Sequence, residues 1–166
     1  SSGVVGKYLT DSTGLTVTGY IPKLADGVAH NEDGVGGMHL YFPWWLDNKK
    51  LDFPRGYHVE LGGGRRSPPS YGIMGGIQRF NGVGGYGKSL KDDYRKYWGS
   101  TVYFSGRGEM IPNDKTYCEI DPHVVDSYGI PVLRFHAGFN DSEILQAKHM
   151  QETFFEIIHE MGGTPL

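Results

Sequence analysis

Residues 101 to 109, TVYFSGRGE, alternate so as to give one strand two unlike faces: Val102 and Phe104 on one side, Tyr103, Ser105, Arg107 and Glu109 on the other. A guanidinium and a carboxylate on one face can grip hydroxyl groups through charge-assisted hydrogen bonds. The same two groups can equally form an internal ion pair. A second candidate is the run Met38-His39-Leu40-Tyr41-Phe42-Pro43-Trp44-Trp45. Adjacent tryptophans after a proline cannot both point into the same core, so at least one ring belongs at a surface, a loop edge or a pocket. Such rings stack on the apolar C–H patches of sugars, and His39 and Asp47 nearby could hydrogen-bond hydroxyls. The alternative is that both rings pack under long loops. The candidate substrate-binding residues are therefore His39, Trp44, Trp45, Arg107 and Glu109, and no residue is assigned a catalytic role.

Other motifs carry less. Gly82-Val83-Gly84-Gly85-Tyr86-Gly87 fits the G-x-G-x-x-G dinucleotide pattern, with Glu109 about twenty residues on. That pattern needs a buried parallel strand running into its first glycine, so that the pyrophosphate lands on the next helix N-terminus. Gln78, Arg79 and Asn81 are too polar for such a strand, which favours a glycine-rich loop. His30-Asn31-Glu32-Asp33-Gly34 reads as a solvated turn. On a long C-terminal helix His149, Glu152, Glu156 and His159 fall at spacings of three, four and three, which imitates a metal site. Completing such a site usually takes a facing helix, so a charge-paired solvent face opposite the apolar stripe is expected. Cys118 is the only cysteine, which excludes an internal disulfide and a thiolate cluster. No metal site is assigned.

With 166 residues, one domain with an ordinary core is expected. The formal charge is −3 and no run of Lys or Arg exceeds two, which argues against nucleic acid or an anionic membrane as partner. No apolar run approaches the roughly 20 residues that span a bilayer, and the compartment is left open. The chain starts without methionine or a signal-type apolar core, and it reads as an interior fragment or a processed product. The 26 glycines beside 13% aromatic residues suit sheets with long loops better than a helix bundle.

Glycine- and proline-bounded runs predict strands over Leu15–Ile21, Met38–Phe42, Tyr57–Leu61, Thr101–Glu109, Thr116–Ile120 and Val132–Phe135. A short amphipathic helix is expected after Ser89, with Leu90, Tyr94, Tyr97 and Trp98 on one face and Gly99 as its stop. A longer one is expected from Asp141 to Met161. Asn140 and Glu143 cap it, and Ile144, Ala147, Met150, Phe154, Ile157, Ile158 and Met161 line its inner face. Strands not strictly alternating with helices argue for an α+β fold. The expectation is a twisted, largely antiparallel sheet of about five or six strands, backed by the long helix and crossed by glycine-rich loops.

Between 105 and 136 these elements follow a recognisable order: a strand ending in Arg107, Glu109 and Pro112, the Asn113-Asp114 turn, a strand with Tyr117, Cys118 and Ile120, then Asp121-Pro122, Asp126, Gly129 and Pro131. This order resembles the start of the C-terminal part of the glucose-methanol-choline (GMC) flavoprotein oxidoreductases. The opening Gly3 to Asp11 is similar to the family segment that closes the flavin-binding part, except that Tyr8 stands where the family has asparagine and Ser12 where it has histidine. The block containing His30 to Gly34, Pro43-Trp44-Trp45-Leu46 and Gly62-Gly63-Gly64-Arg65 resembles a bacterial branch acting on sugars or polyols.

The resemblance implies alcohol oxidation in which FAD accepts a hydride and a histidine takes the hydroxyl proton. In the family the ADP-binding glycine motif precedes this region and the active-site histidine follows it. It therefore implies that residues 1–166 are a substrate-binding domain, one wall of a pocket whose FAD is bound mainly by segments outside this chain. The implied partners are a sugar or polyol, the flavin-binding part of the same protein and, in some members, an electron-acceptor subunit; a periplasmic location is compatible. The rival expectation is a noncatalytic carbohydrate-binding module with Trp44 and Trp45 as its platform.

Overall fold

The computed structural model of the chain describes residues 2–25, 39–40, 49–63, 85–97 and 99–166. Its centre is the alternating strand read above. Strand β4 (Thr101–Glu109) pairs antiparallel with β1 (Ser12–Tyr20) on one side and with β3 (Tyr57–Gly63) on the other. Short β2 (His39–Leu40) extends the sheet beyond β3, and β7 (Thr164–Pro165) extends it beyond β1, giving the order β2-β3-β4-β1-β7 with every pairing antiparallel. The sequence offers no apolar run at β7; it forms because the chain leaving the last helix is laid against Gly19 and Tyr20. Helix α1 (Pro22–Ala25) and helix α2 (Gly87–Tyr97) complete the connections. Helix α2 begins two residues before Ser89, whose hydroxyl donates to the Tyr86 carbonyl instead of capping. Gly99 ends the turn at φ +82°, a conformation that favours glycine.

Helix α3 (Asp141–Glu160) covers one face of this sheet. Its start is the expected capping box: Asn140 Oδ1 accepts from the Glu143 N–H at 3.1 Å, and Glu143 Oε2 accepts from the Asn140 N–H at 2.7 Å. Glu143 also accepts from the Ile111 N–H at 3.2 Å, which ties the helix start to the chain leaving β4. The buried stripe is Gln146, Met150, Phe154 and Ile158, four residues apart, lying over Val17, Val59, Val102 and Phe104. This corrects the expected inner face at one position: Ile144 is exposed, and Glu143 and Gln146 are buried instead. His149 is also displaced from the expected solvent face. Its Nδ1 lies 2.9 Å from the Tyr57 hydroxyl, and its ring meets Phe53 and Tyr57 edge-on. Among the described residues no group of three or more His, Cys, Asp or Glu is placed to hold a metal.

The five-stranded sheet backed by the long helix is the expected antiparallel sheet of about five or six strands; strands β5 (Tyr117–Val125) and β6 (Pro131–His136) stand beside it and pair only with each other as a separate hairpin. The reason lies in Asn113 to Thr116. Asn113 Oδ1 accepts from the Lys115 N–H and its carbonyl from the Thr116 hydroxyl, a side-chain-locked turn that redirects the chain. The chain's own start then flanks β5, through Leu9 N–H to the Thr116 carbonyl and Cys118 N–H to the Gly6 carbonyl.

Between those two bonds Tyr8 sits at φ +58°, in the left-handed region that asparagine adopts more readily than tyrosine. Tyr8→Asn is expected to raise stability by about 1 kcal/mol, because asparagine's short polar side chain can hydrogen-bond locally and offset part of the roughly 1–2 kcal/mol this conformation costs. A thermal melt showing no gain or a loss would mean the half-exposed Tyr8 ring is held by packing.

The hairpin's far end is organised by two aspartates. Asp126 Oδ1 accepts from the Tyr128 and Ile130 N–H groups, closing the turn at Gly129. Asp121 Oδ1 accepts from His123 and Val124 at 2.8 and 3.1 Å, and its Oδ2 lies 2.5 Å from the Arg134 guanidinium. The His123 N–H above all, then that of Val124 and the charge of Arg134, hold the Asp121 carboxyl below its ordinary value. A depressed carboxylate stabilises above its unfolded pKa of about 3.9 and stops doing so as pH falls through the lower folded value. Acidification below about pH 4 should therefore strip hydrogen-exchange protection from the hairpin amides. Asp121→Asn should start less protected and change less with acid; acid sensitivity equal to the parent would sink this account.

Candidate functional site

The face of the sheet opposite α3 is lined by the other half of each alternation. Strand β3 contributes His58, Glu60 and Gly62, β4 contributes Tyr103, Ser105, Arg107 and Glu109, and β1 contributes Ser12, Gly14, Thr16 and Thr18. Pairing register places His39, Glu60, Ser105 and Thr16 opposite one another on four successive strands. His39 thus holds the outer position of this row, beside Glu60.

The described side chains of the row are engaged in two pairs. Thr16 donates its hydroxyl to Ser105 Oγ at 2.9 Å. Arg107, diagonal to Glu60 across the β3–β4 pair, brings Nη2 to 3.5 Å from Glu60 Oε2. Its Nη1 occupies the space a side chain on Gly14 would need, 3.2 Å from the position of such a Cβ. Gly62 serves in the same way for Tyr103, whose ring fills the place of a Gly62 side chain. Two glycines thus let an arginine and a tyrosine lie flat over neighbouring strands. Ser105 is buried, Glu60 and Tyr103 are half-buried, and Thr16 and Arg107 are exposed. The row is a graded polar surface of acceptor, donor and hydroxyl groups.

Arg107 and Glu109 were read together from sequence, but they have different partners. Arg107 turns to Glu60. Glu109 lies 3.7 Å from Arg55, both about 60% exposed, a geometry worth little in water. Glu109 also borders a nook of about 10 Å³ shared with Ile111, Glu143 and Gln146, room for one water and not for a substrate. Trp44 and Trp45 lie outside the described residues, as do the His30–Gly34 turn and Gly82 to Gly84. The aromatic-platform reading therefore has no geometry here. Glu60 was missed, although the alternation Tyr57-His58-Val59-Glu60-Leu61 signals it as clearly as β4 signals Arg107.

A broader cleft of about 550 Å³ lies between the 113–116 turn and residues 136–140. Asn113, Thr116 and Asn140 in its wall are already engaged in turn and cap bonds.

Helix α2 is followed by β4, which runs antiparallel to both its neighbours, so the pairings of β4 among the described strands are not those of a parallel dinucleotide-binding crossover. Among the described residues, no helix is long and apolar enough to cross a membrane.

No family model matches the chain. The chain is similar to a 2-methyl-1,2-propanediol dehydrogenase of Mycolicibacterium austroafricanum, with 24% identity over 164 residues. The match takes in 98% of this chain and 28% of that relative, so the chain spans little more than a quarter of its length.

Proposed function

We propose that the chain forms the substrate-facing wall of an FAD-dependent oxidoreductase that oxidises a CH–OH group of a small diol, polyol or sugar. The observation that carries the proposal is the polar row on the sheet face away from α3, in a chain whose residues align at 24% identity with little more than a quarter of a protein named as a diol dehydrogenase. A polyol presents hydroxyls that donate and accept. Glu60 can only accept, Arg107 can only donate, and Ser105 and Thr16 can do both. Together they can hold two neighbouring hydroxyls in one orientation, which fixes the direction of the C–H bond on the substrate's reacting carbon.

The polar row binds and orients; it supplies neither the oxidant nor the base. Flavin, when bound, accepts the hydride. In keeping with the GMC resemblance, this reading assigns the flavin and the proton-accepting histidine to other parts of a longer polypeptide.

The test is made on the full-length gene product. It should purify with bound flavin whose visible absorbance bleaches anaerobically on adding a 1,2-diol. A flavin-free protein, or a flavin that no diol, polyol or sugar reduces, would overturn the proposal. Stoichiometric FAD on residues 1–166 alone would overturn the division of labour.

A further inference from the structure

The β5–β6 hairpin has two unlike faces. On one face Tyr117 stacks on His136 at 4.2 Å, His136 Nε2 meets Glu119 at 3.0 Å, and Arg134 pairs with Asp121. The opposite face, set by the pairings Cys118 with Phe135 and Ile120 with Leu133, is apolar. Ile120, Leu133 and Phe135 are 66, 55 and 60% exposed there, and Val125, paired with Pro131, continues the patch toward the tip. Large contiguous apolar patches are uncommon on surfaces that meet only water. A two-stranded hairpin is also marginal by itself. Among the described residues it is tied to the rest mainly by the bridge of Lys7 with Tyr117 and the bonds from Leu9 and Cys118.

We infer that this apolar hairpin face is an interior interface, covered by the cofactor-bearing part of the same polypeptide. The inference rests on the proposed function. The occupant is chosen by length: the similarity runs through the hairpin to a relative of which more than two thirds lies outside the match. A second copy of the chain and an unrelated partner are the competing occupants. The polar face, whose charges are already paired within the hairpin, needs no cover. The docking surface is therefore one-sided, and its counterpart is an apolar surface without unpaired charge.

The experiment measures maleimide labelling of Phe135→Cys on a Cys118→Ser background, in the 166-residue chain and in the full-length gene product. Leu133→Cys serves as the second probe should the first disturb folding. In the short chain the thiol should react at the rate of an exposed cysteine at every protein concentration. In the full-length protein it should react at least about tenfold more slowly, as for a group reached only by local opening. Equal rates in the two proteins would overturn the inference. So would protection of the short chain that grows with its concentration, which identifies a second copy, and so would a reading frame without several hundred further residues. Labelling does not depend on activity. Protection without diol oxidation would leave the interface standing and defeat the function, and diol oxidation without protection would do the reverse.

Discussion

Phe154→Ala should cost the fold about 3–5 kcal/mol, the usual loss for a fully buried aromatic. That is a large part of the roughly 5–15 kcal/mol available to a small domain. Phe154 has no exposed surface, stacks on Phe104 with centroids 5.7 Å apart and meets Tyr57 edge-on at 6.5 Å. The size of the loss follows from how α3 is seated. Gln146, Met150, Phe154 and Ile158 form a ridge, and beneath it Gly108, Gly106 and Gly19 leave the sheet without side chains. A Cβ on Gly106 would lie 2.6 Å from Met150 Sδ and 3.2 Å from Phe154 Cζ, and one on Gly19 would lie 2.8 Å from Ile158. Gly106→Val should therefore also destabilise, by about 1–3 kcal/mol of overpacking. In the Phe154→Ala background the same valine should cost less, because it enters space the ring has left. Denaturant unfolding at unchanged slope measures each step. Additive losses would show that helix and glycines do not meet as described.

The same glycines explain what could be read from the sequence and what could not. Strand β4 was legible over its full length because Val102 and Phe104 alternate with Tyr103, Ser105 and Arg107. Its later inner positions, Gly106 and Gly108, have no side chain to show an alternation. Only the ridge on α3 reveals that they face the core. The helix was legible from the Asn140–Glu143 capping box and from Met150, Phe154 and Ile158, whereas the burial of Glu143 and Gln146 was not. That burial depends on the Ile111 N–H, which donates to Glu143, and on the Arg55 and Gly56 carbonyls, to which the Gln146 amide donates, and these groups come from distant segments. The hairpin's strands were legible and their sheet was not, since alternation specifies a strand without specifying its neighbour. Arg107 was found by type, but its partner Glu60 lies 47 positions earlier, across a register that no local pattern reports.

Glu60→Gln in the full-length protein should lower kcat/KM for a 1,2-diol by about 10- to 100-fold. This is the loss of one hydrogen bond to a charged acceptor, at about 1.5–3 kcal/mol, with 1.36 kcal/mol for each factor of ten. Glu109→Gln, removed from the row and paired only with an exposed Arg55, should change it by less than about threefold, the scale of a surface ion pair. The contrast separates Glu109, the carboxylate chosen from the sequence, from Glu60, which that reading missed. Arg107→Met should resemble Glu60→Gln, and the double variant should fall little further, because the two groups act on the same hydroxyls and orient each other. Thermal midpoints should hardly move, since the Glu60–Arg107 pair is 29 and 44% exposed and such pairs add little to stability. The division between constants identifies the role. A rise in KM at constant kcat means that the row only binds. A fall in kcat means that it also sets the angle at which the reacting carbon meets the cofactor. Unchanged turnover in Glu60→Gln, with the fold intact, would remove this sheet face from the substrate site.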